Sequence, residues 1–190
     1  NLKNYPVHGI NIAAREVSGD FFSFYPHNDS IYFVIADVAG KGIHAGMVMA
    51  KASTLFEVLS QSKVDPDEMV FHMNNDLNNT KTAGMFVTSI VGEYNLISDE
   101  IRWVNAGHQP AILRNGQGKY DQFESSAPPL GVIKQKDKSV YNIHKTKLNG
   151  SRFYAFTDGL SESLNDKGEE IGIDGSIAVS YTHLTLPTNL

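Results

Sequence analysis

Three aspartates stand where apolar stretches end close to glycine. Asp20 lies in Val17-Ser18-Gly19-Asp20, Asp37 opens Asp37-Val38-Ala39-Gly40-Lys41-Gly42, and Asp158 lies in Thr157-Asp158-Gly159. The clearest is Asp37, because Ile31-Tyr32-Phe33-Val34-Ile35-Ala36 runs straight into it. A strand that delivers a carboxylate to its tip makes poor core, since an isolated charge is costly to desolvate unless a cation or partner offsets it. Oxygen ligands of this kind suit hard divalent cations. Taken singly, each acid reads as a turn or cap residue. Taken together, the three fit a metal site as well as they fit turns.

Other chemistries fit less well. Gly40-Lys41-Gly42 is not a phosphate-binding P-loop, because Ile35 stands where the earlier glycine is required and Gly42 follows the lysine. The loop does lead to a helix N-terminus, which favours anions, so Lys41 is a weaker candidate for phosphate contact beside its reading as a solvated side chain. There is no G-x-S-x-G serine elbow. The absence of cysteine excludes disulfides, thiolate metal sites and a cysteine nucleophile. The seven histidines show no i, i+4 zinc pair. Asn105-Ala106-Gly107-His108 ends another strand, either as a plain polar turn or as a support for the site loops.

A chain of 190 residues is expected to form one domain with a real core. Its net charge of -5 and the lack of a basic stripe with interleaved aromatics argue against nucleic-acid binding. No apolar run approaches the ~20 residues of a membrane span. The first residues carry no signal-peptide pattern and no initiator Met, so the sequence is expected to be part of a longer chain. The lack of cysteine suits a reducing, cytoplasmic setting.

The elements that must place these acids follow from periodicity. Gly9–Ala14 and Ile31–Ala36 read as strands, the second buried on both faces. Ala45, Val48, Met49, Ala52, Leu55, Phe56 and Leu59 mark one face of a helix. A second helix is predicted from Asp65 as N-cap and Pro66 at its first position, with Glu68 completing a capping box and Met69, Val70, Met73 and Leu77 facing inward. Strands are then predicted over 86–94, 101–106, 111–114, 139–146 and 153–157, with turns at Ser98-Asp99 and Asn115-Gly116. Strands, two consecutive helices and more strands make an α+β layered domain with mainly antiparallel sheets. Residues 179–190 lack side-chain charge and clear periodicity and read as an atypical tail, either an extended end or, the favoured reading, a foreign stretch, on a domain spanning 1–178 that is expected to be incomplete at its C-terminus.

Five segments in order carry a resemblance: Glu16-Val17-Ser18-Gly19-Asp20-Phe21, Asp37-Val38-Ala39-Gly40-Lys41-Gly42, Asn105-Ala106-Gly107-His108, Ala127-Pro128-Pro129-Leu130-Gly131 and Thr157-Asp158-Gly159-Leu160-Ser161-Glu162. Over about residues 8 to 175 the chain resembles the SpoIIE/RsbU-type branch of the PPM (PP2C-like) metal-dependent serine/threonine phosphatases. The resemblance implies an α-β-β-α sandwich with two divalent ions, Mn²⁺ or Mg²⁺, at one edge. It implies Asp37 as the bridging ligand, the Val38 carbonyl as an extra ligand, Asp20 and Asp158 as flanking ligands, and Glu16 as a weaker candidate nearby. The implied reaction is hydrolysis of phosphoserine or phosphothreonine by a metal-bridging hydroxide. The implied substrate is a phosphorylated STAS-type anti-sigma-factor antagonist in bacterial partner switching, with a sensor or receiver domain upstream. The sequence departs from the family at Ser18 and Ala39, both small replacements. It also lacks the closing Asp-Asp pair, one acid of which is a ligand in the family, and Asp174 stands in the wrong context to replace it. A phosphatase-like module that binds without catalysis is the alternative.

Overall fold

The computed structural model describes residues 6–11, 19–80, 84–164, 168–173, 175 and 176. Period-2 alternation organises the central strand. In β2 (Ser30–Val38), Tyr32, Val34, Ala36 and Val38 face one core, while Phe33 and Ile35 face another. A strand with apolar residues on both faces must sit between two layers. It pairs antiparallel on one side with β1 (Phe21–His27), through the turn at Asn28-Asp29, where Asn28 takes a φ of 52°. On its other side lies β3 (Val87–Asn95), followed by β4 (Glu100–Ala106) and β7 (His144–Lys147), giving the order β1-β2-β3-β4-β7. A second sheet has the order β6-β5-β8, from β5 (Ala111–Arg114), β6 (Tyr120–Phe123) and β8 (Arg152–Tyr154). All pairings between these strands are antiparallel.

Between the sheets, Trp103 is fully buried, edge-on to Phe123 at 5.0–5.1 Å-class spacing: 5.1 Å to Phe123 and 5.0 Å to Phe153 between ring centroids. Aromatic rings at this distance prefer such tilted packing. Helices α1 (Ile43–Gln61) and α2 (Pro66–Asn78) cover the other face of the larger sheet. Their inner residues Ala45, Val48, Ala52, Phe56, Met69, Val70, Met73 and Leu77 are all buried, as the helical spacing predicts. A short helix, α3 (Asp158–Ser161), follows the second sheet. Among the described residues, no helix is long and apolar enough to cross a membrane.

Several expectations need correction. The capping box does not form: Asp65 makes no side-chain cap and instead pairs with Arg102 at 2.9 Å, while Glu68 reaches Lys138 at 3.3 Å. Charge partners brought in by the tertiary fold outcompete the local cap. The strand predicted over 139–146 is a 3₁₀ turn at Lys138–Val140 followed by β7, and the strand predicted over 153–157 ends at Tyr154. Gly9–Asn11 lie outside any strand, and residues 12–14 lie outside the described residues, as do Asp174 and the 179–190 tail. Strands β1 and β6 were not predicted. Pro26 disguises β1, but an edge strand tolerates a residue without an N–H.

Side-chain amides tie α2 to the loop that follows Leu130. Asn74 accepts from Gly131 N at 3.0 Å and donates to Ile133 O at 3.0 Å, and Asn75 makes the same exchange with the Gln135 backbone. Leu130 in turn exchanges backbone hydrogen bonds with Val87, the first residue of β3. Thus α2 anchors the loop that closes the start of β3.

Gly92 in β3 is a close approach. A Cβ there would lie 2.6 Å from the Arg102 carbonyl oxygen and clash with the Phe33 ring. Gly92→Ala is expected to destabilise the domain by about 1–3 kcal/mol, as overpacking does. Urea unfolding followed by circular dichroism measures it.

Candidate metal centre

The three aspartates reach one place from three directions. Asp37 is the penultimate residue of β2 and by alternation shares the face of Phe33 and Ile35, toward the second sheet. Asp20 immediately precedes β1, and Asp158 opens α3 just beyond β8. One end of the sandwich therefore collects an acid from each sheet. A carboxylate oxygen from each of Asp20, Asp37 and Asp158 lies within 4.8 Å of the other two, and all three residues are half-buried.

Such a cluster is electrostatically unfavourable without a cation. Burial first, then the charges of Asp20 and Asp158, push the Asp37 carboxyl up to about 6, against a smaller opposing effect of the Val38 N–H. Among the described residues, no Lys, Arg or His forms an ion pair with Asp37 or Asp158. An all-oxygen donor set with excess negative charge fits a hard divalent cation.

The backbone around the cluster is tightly drawn. A Cβ on Gly19 would lie 2.8 Å from the Val38 carbonyl oxygen and 3.0 Å from Asp37 Oδ1, so only glycine allows the chain before Asp20 to pass there. Val38 N donates to Gly19 O at 3.3 Å, and Ala39 N donates to Phe86 O at 2.9 Å. The Val38 carbonyl oxygen and Asp37 Oδ1 thus both lie against Gly19.

The remaining candidates separate. Lys41 is exposed on the loop after β2, and Glu16 lies outside the described residues. His108 does not join the carboxylates. It is buried behind them, with Nδ1 2.8 Å from Thr88 Oγ1. Burial pushes its imidazole down to about 4, with the Phe156 backbone acting in the opposite sense. The sequence reading missed two threonines. Thr157 Oγ1 donates to Asp20 Oδ2 at 3.4 Å, and Thr88 Oγ1 lies 3.4 Å from the Asp37 carbonyl oxygen. Thr157 adjoins Asp158 and was open to suspicion on that ground. Thr88 becomes visible only through strand register, which sets it opposite Asp37.

The model of the family described as Stage II sporulation protein E (SpoIIE) matches residues 27–189. The chain belongs to the SpoIIE family. Its relatives include phosphoserine phosphatase RsbU of Bacillus subtilis (strain 168), 27% identical over 85% of this chain and 48% of RsbU. This SpoIIE-family chain therefore spans about half the length of that relative. Among solved structures, the SiaA-PP2C domain of Pseudomonas aeruginosa has a TM-score of 0.73 at 16% identity, covering 87% of this chain and 66% of that one. RsbX in complex with magnesium has a TM-score of 0.66 at 21% identity, covering 90% and 82%. The fold is accordingly PP2C-like, with two antiparallel sheets and flanking helices.

The raised Asp37 carboxyl makes a signed prediction. Its folded value, about 6, lies above its ordinary value of 3.8, so folding favours the protonated form. That contribution is complete below pH ~3.8 and is lost as pH rises through about 6. In buffer containing a chelator, Asp37→Asn is expected to melt higher than wild type at pH 7.5, and the advantage should shrink at pH 4.5. Thermal unfolding at the two pH values measures this.

Proposed function

We propose that this chain is the catalytic domain of a metal-dependent protein serine/threonine phosphatase. The observation that carries the reading is the convergence of Asp20, Asp37 and Asp158, drawn from both sheets, on one cation-sized space. Asp37 would bridge, Asp20 and Asp158 would flank it, and the Val38 carbonyl would add a neutral oxygen. Two ions, Mn²⁺ or Mg²⁺, fit this donor chemistry, and the magnesium in the RsbX structure supports the assignment. Bound there, divalent cations supply Lewis acidity that activates water and positive charge that offsets the phosphoryl oxygens.

The chain's own residues fix the donors. Gly19 permits the close passage that sets Asp20 beside Asp37, and Thr157 orients Asp20. The substrate is a phosphoserine or phosphothreonine protein, and the phosphoserine phosphatases RsbU and RsbP of Bacillus subtilis support this. Within that class we propose a phosphorylated STAS-type anti-sigma-factor antagonist, acted on in the cytoplasm and governed by a sensor or receiver domain of the longer chain. A second reading, a binding module without catalysis, draws on the cluster's holding three acids among the described residues rather than the larger set of the family resemblance.

Release of phosphate from a phosphoserine protein should require Mn²⁺ or Mg²⁺. Asp37→Asn should lower it at least about 100-fold, the upper range seen even for outer-shell changes at metal sites. Mn²⁺ binding with no turnover by the wild type would favour the binding module instead.

A further inference from the structure

We infer that His108 is a positioning residue that spans the two sheets at the aspartate end of the sandwich, from the Thr88 hydroxyl of β3 to the backbone carbonyl of Phe156, and thereby sets the interval between Asp37 and Asp158. The inference rests on the metal reading above. Thr88 pairs directly with Asp37 across β2 and β3. Directly paired residues of antiparallel strands project to the same face, so the Thr88 hydroxyl, like Asp37, points toward the second sheet. There it lies 2.8 Å from His108 Nδ1. A hydroxyl carries one hydrogen, and the nearer acceptor takes it: Nδ1, rather than the Asp37 carbonyl oxygen at 3.4 Å. Burial holds the imidazole at about 4, so the ring is neutral near pH 7 and keeps a single N–H, at Nε2. The Phe156 backbone acts on the ring as an acceptor does, favouring the proton against the larger effect of burial. Phe156 follows β8 of the second sheet and stands two residues before Asp158.

The surroundings show what the imidazole is for. His108 is 7% exposed, and Nε2 is sealed from solvent without a closely aligned hydrogen bond among the described residues, so the Phe156 end of the span is the looser one. A ring that only filled this space would be apolar, because burying ring nitrogens costs free energy that polar contacts must offset. The turn that presents the ring is itself held. The His108 backbone N–H donates to Asn105 Oδ1 at 2.9 Å, and the fully buried Asn105 donates in turn to Gln109 O at 3.0 Å. Gly107 takes a φ of +70°, and a Cβ there would lie 2.8 Å from Pro129 Cδ. Gly107 N donates to Ser125 Oγ at 2.7 Å. Apolar packing between the sheets is non-directional, whereas a hydrogen-bonded ring on a fixed turn has a set length and direction. Groups that orient ligands without touching the ion commonly change metal affinity by about 10–100-fold.

The test titrates Mg²⁺ and Ca²⁺, each alone, into wild type, Thr88→Val, Thr88→Ser and His108→Phe. Calorimetry reads affinity, and near-UV circular dichroism reads the fold. Mg²⁺ demands near-ideal octahedral geometry, whereas Ca²⁺ tolerates varied ligand positions. A shifted interval between the acids should therefore lower Mg²⁺ affinity about tenfold or more in Thr88→Val and His108→Phe, and lower Ca²⁺ affinity clearly less. A merely structural loss would weaken both ions alike. Thr88→Ser keeps the hydroxyl and should bind Mg²⁺ as wild type does. Nitrogen-15 NMR of the wild-type His108 ring should show the neutral form with its hydrogen on Nε2, a result that needs no variant to fold. A folded Thr88→Val or His108→Phe protein with wild-type Mg²⁺ affinity, equal losses for the two ions, or an Nδ1–H ring overturns the positioning role alone. A wild type that binds neither ion overturns the metal reading and this inference with it.

Discussion

Mutual repulsion of three carboxylates governs this structure. Side chains of like charge do not gather with oxygens inside 4.8 Å unless the backbone compels them. The compulsion here is the sandwich itself, because Asp37 belongs to one sheet and Asp158 follows the other. Packing between the sheets, centred on Trp103, Phe33, Ile90 and Phe153, keeps the two apart by a fixed interval. The burial that stabilises the domain therefore also fixes the distance between the acids, and the upward displacement of the Asp37 carboxyl registers the strain of that arrangement.

The helical layer contributes from the opposite face. Phe56, Met69, Met73 and Leu77 press on the side of β2 and β3 that carries Val34, Val38 and Val91. Alternation then obliges Asp37 to project the other way. Polar ties extend the same order outward: Lys51 pairs with Asp76 at 3.2 Å between the helices, and Arg102 joins Asp65 of the α2 start to Glu93 of β3. Partly exposed pairs such as Lys51 with Asp76 add little stability singly. Their geometry nonetheless fixes where α2 begins, in place of the capping box that the local sequence suggests.

Much of this was legible before any coordinates. The two helices and their inner faces follow from 3.6-residue spacing, and the three aspartates stand out because glycine and apolar runs flank them. What resisted reading is what tertiary pairing decides. Thr88 looks like any β-branched strand residue until register sets it opposite Asp37. His108 reads as a turn residue, and only its burial and its contact with Thr88 of β3 set it apart from one. Strand β1 escaped because Pro26 interrupts it, and strand β6 because its four residues, Tyr120–Phe123, are mostly exposed and carry no buried alternation. Short strands draw their stability from neighbours rather than from their own composition.

Pro26 has a further consequence. The β1 strand forms one border of the five-stranded sheet, and its Phe22 and Phe24 rings would make an attractive template for another chain's backbone. Proline presents no amide hydrogen there, and Gly9 passes closely over the Phe22 ring. Unprotected borders are where sheets join and fibrils begin. The residue that hid the strand from sequence reading is thus also a guard on its border, defending solubility at a place where the aromatic content argues against it.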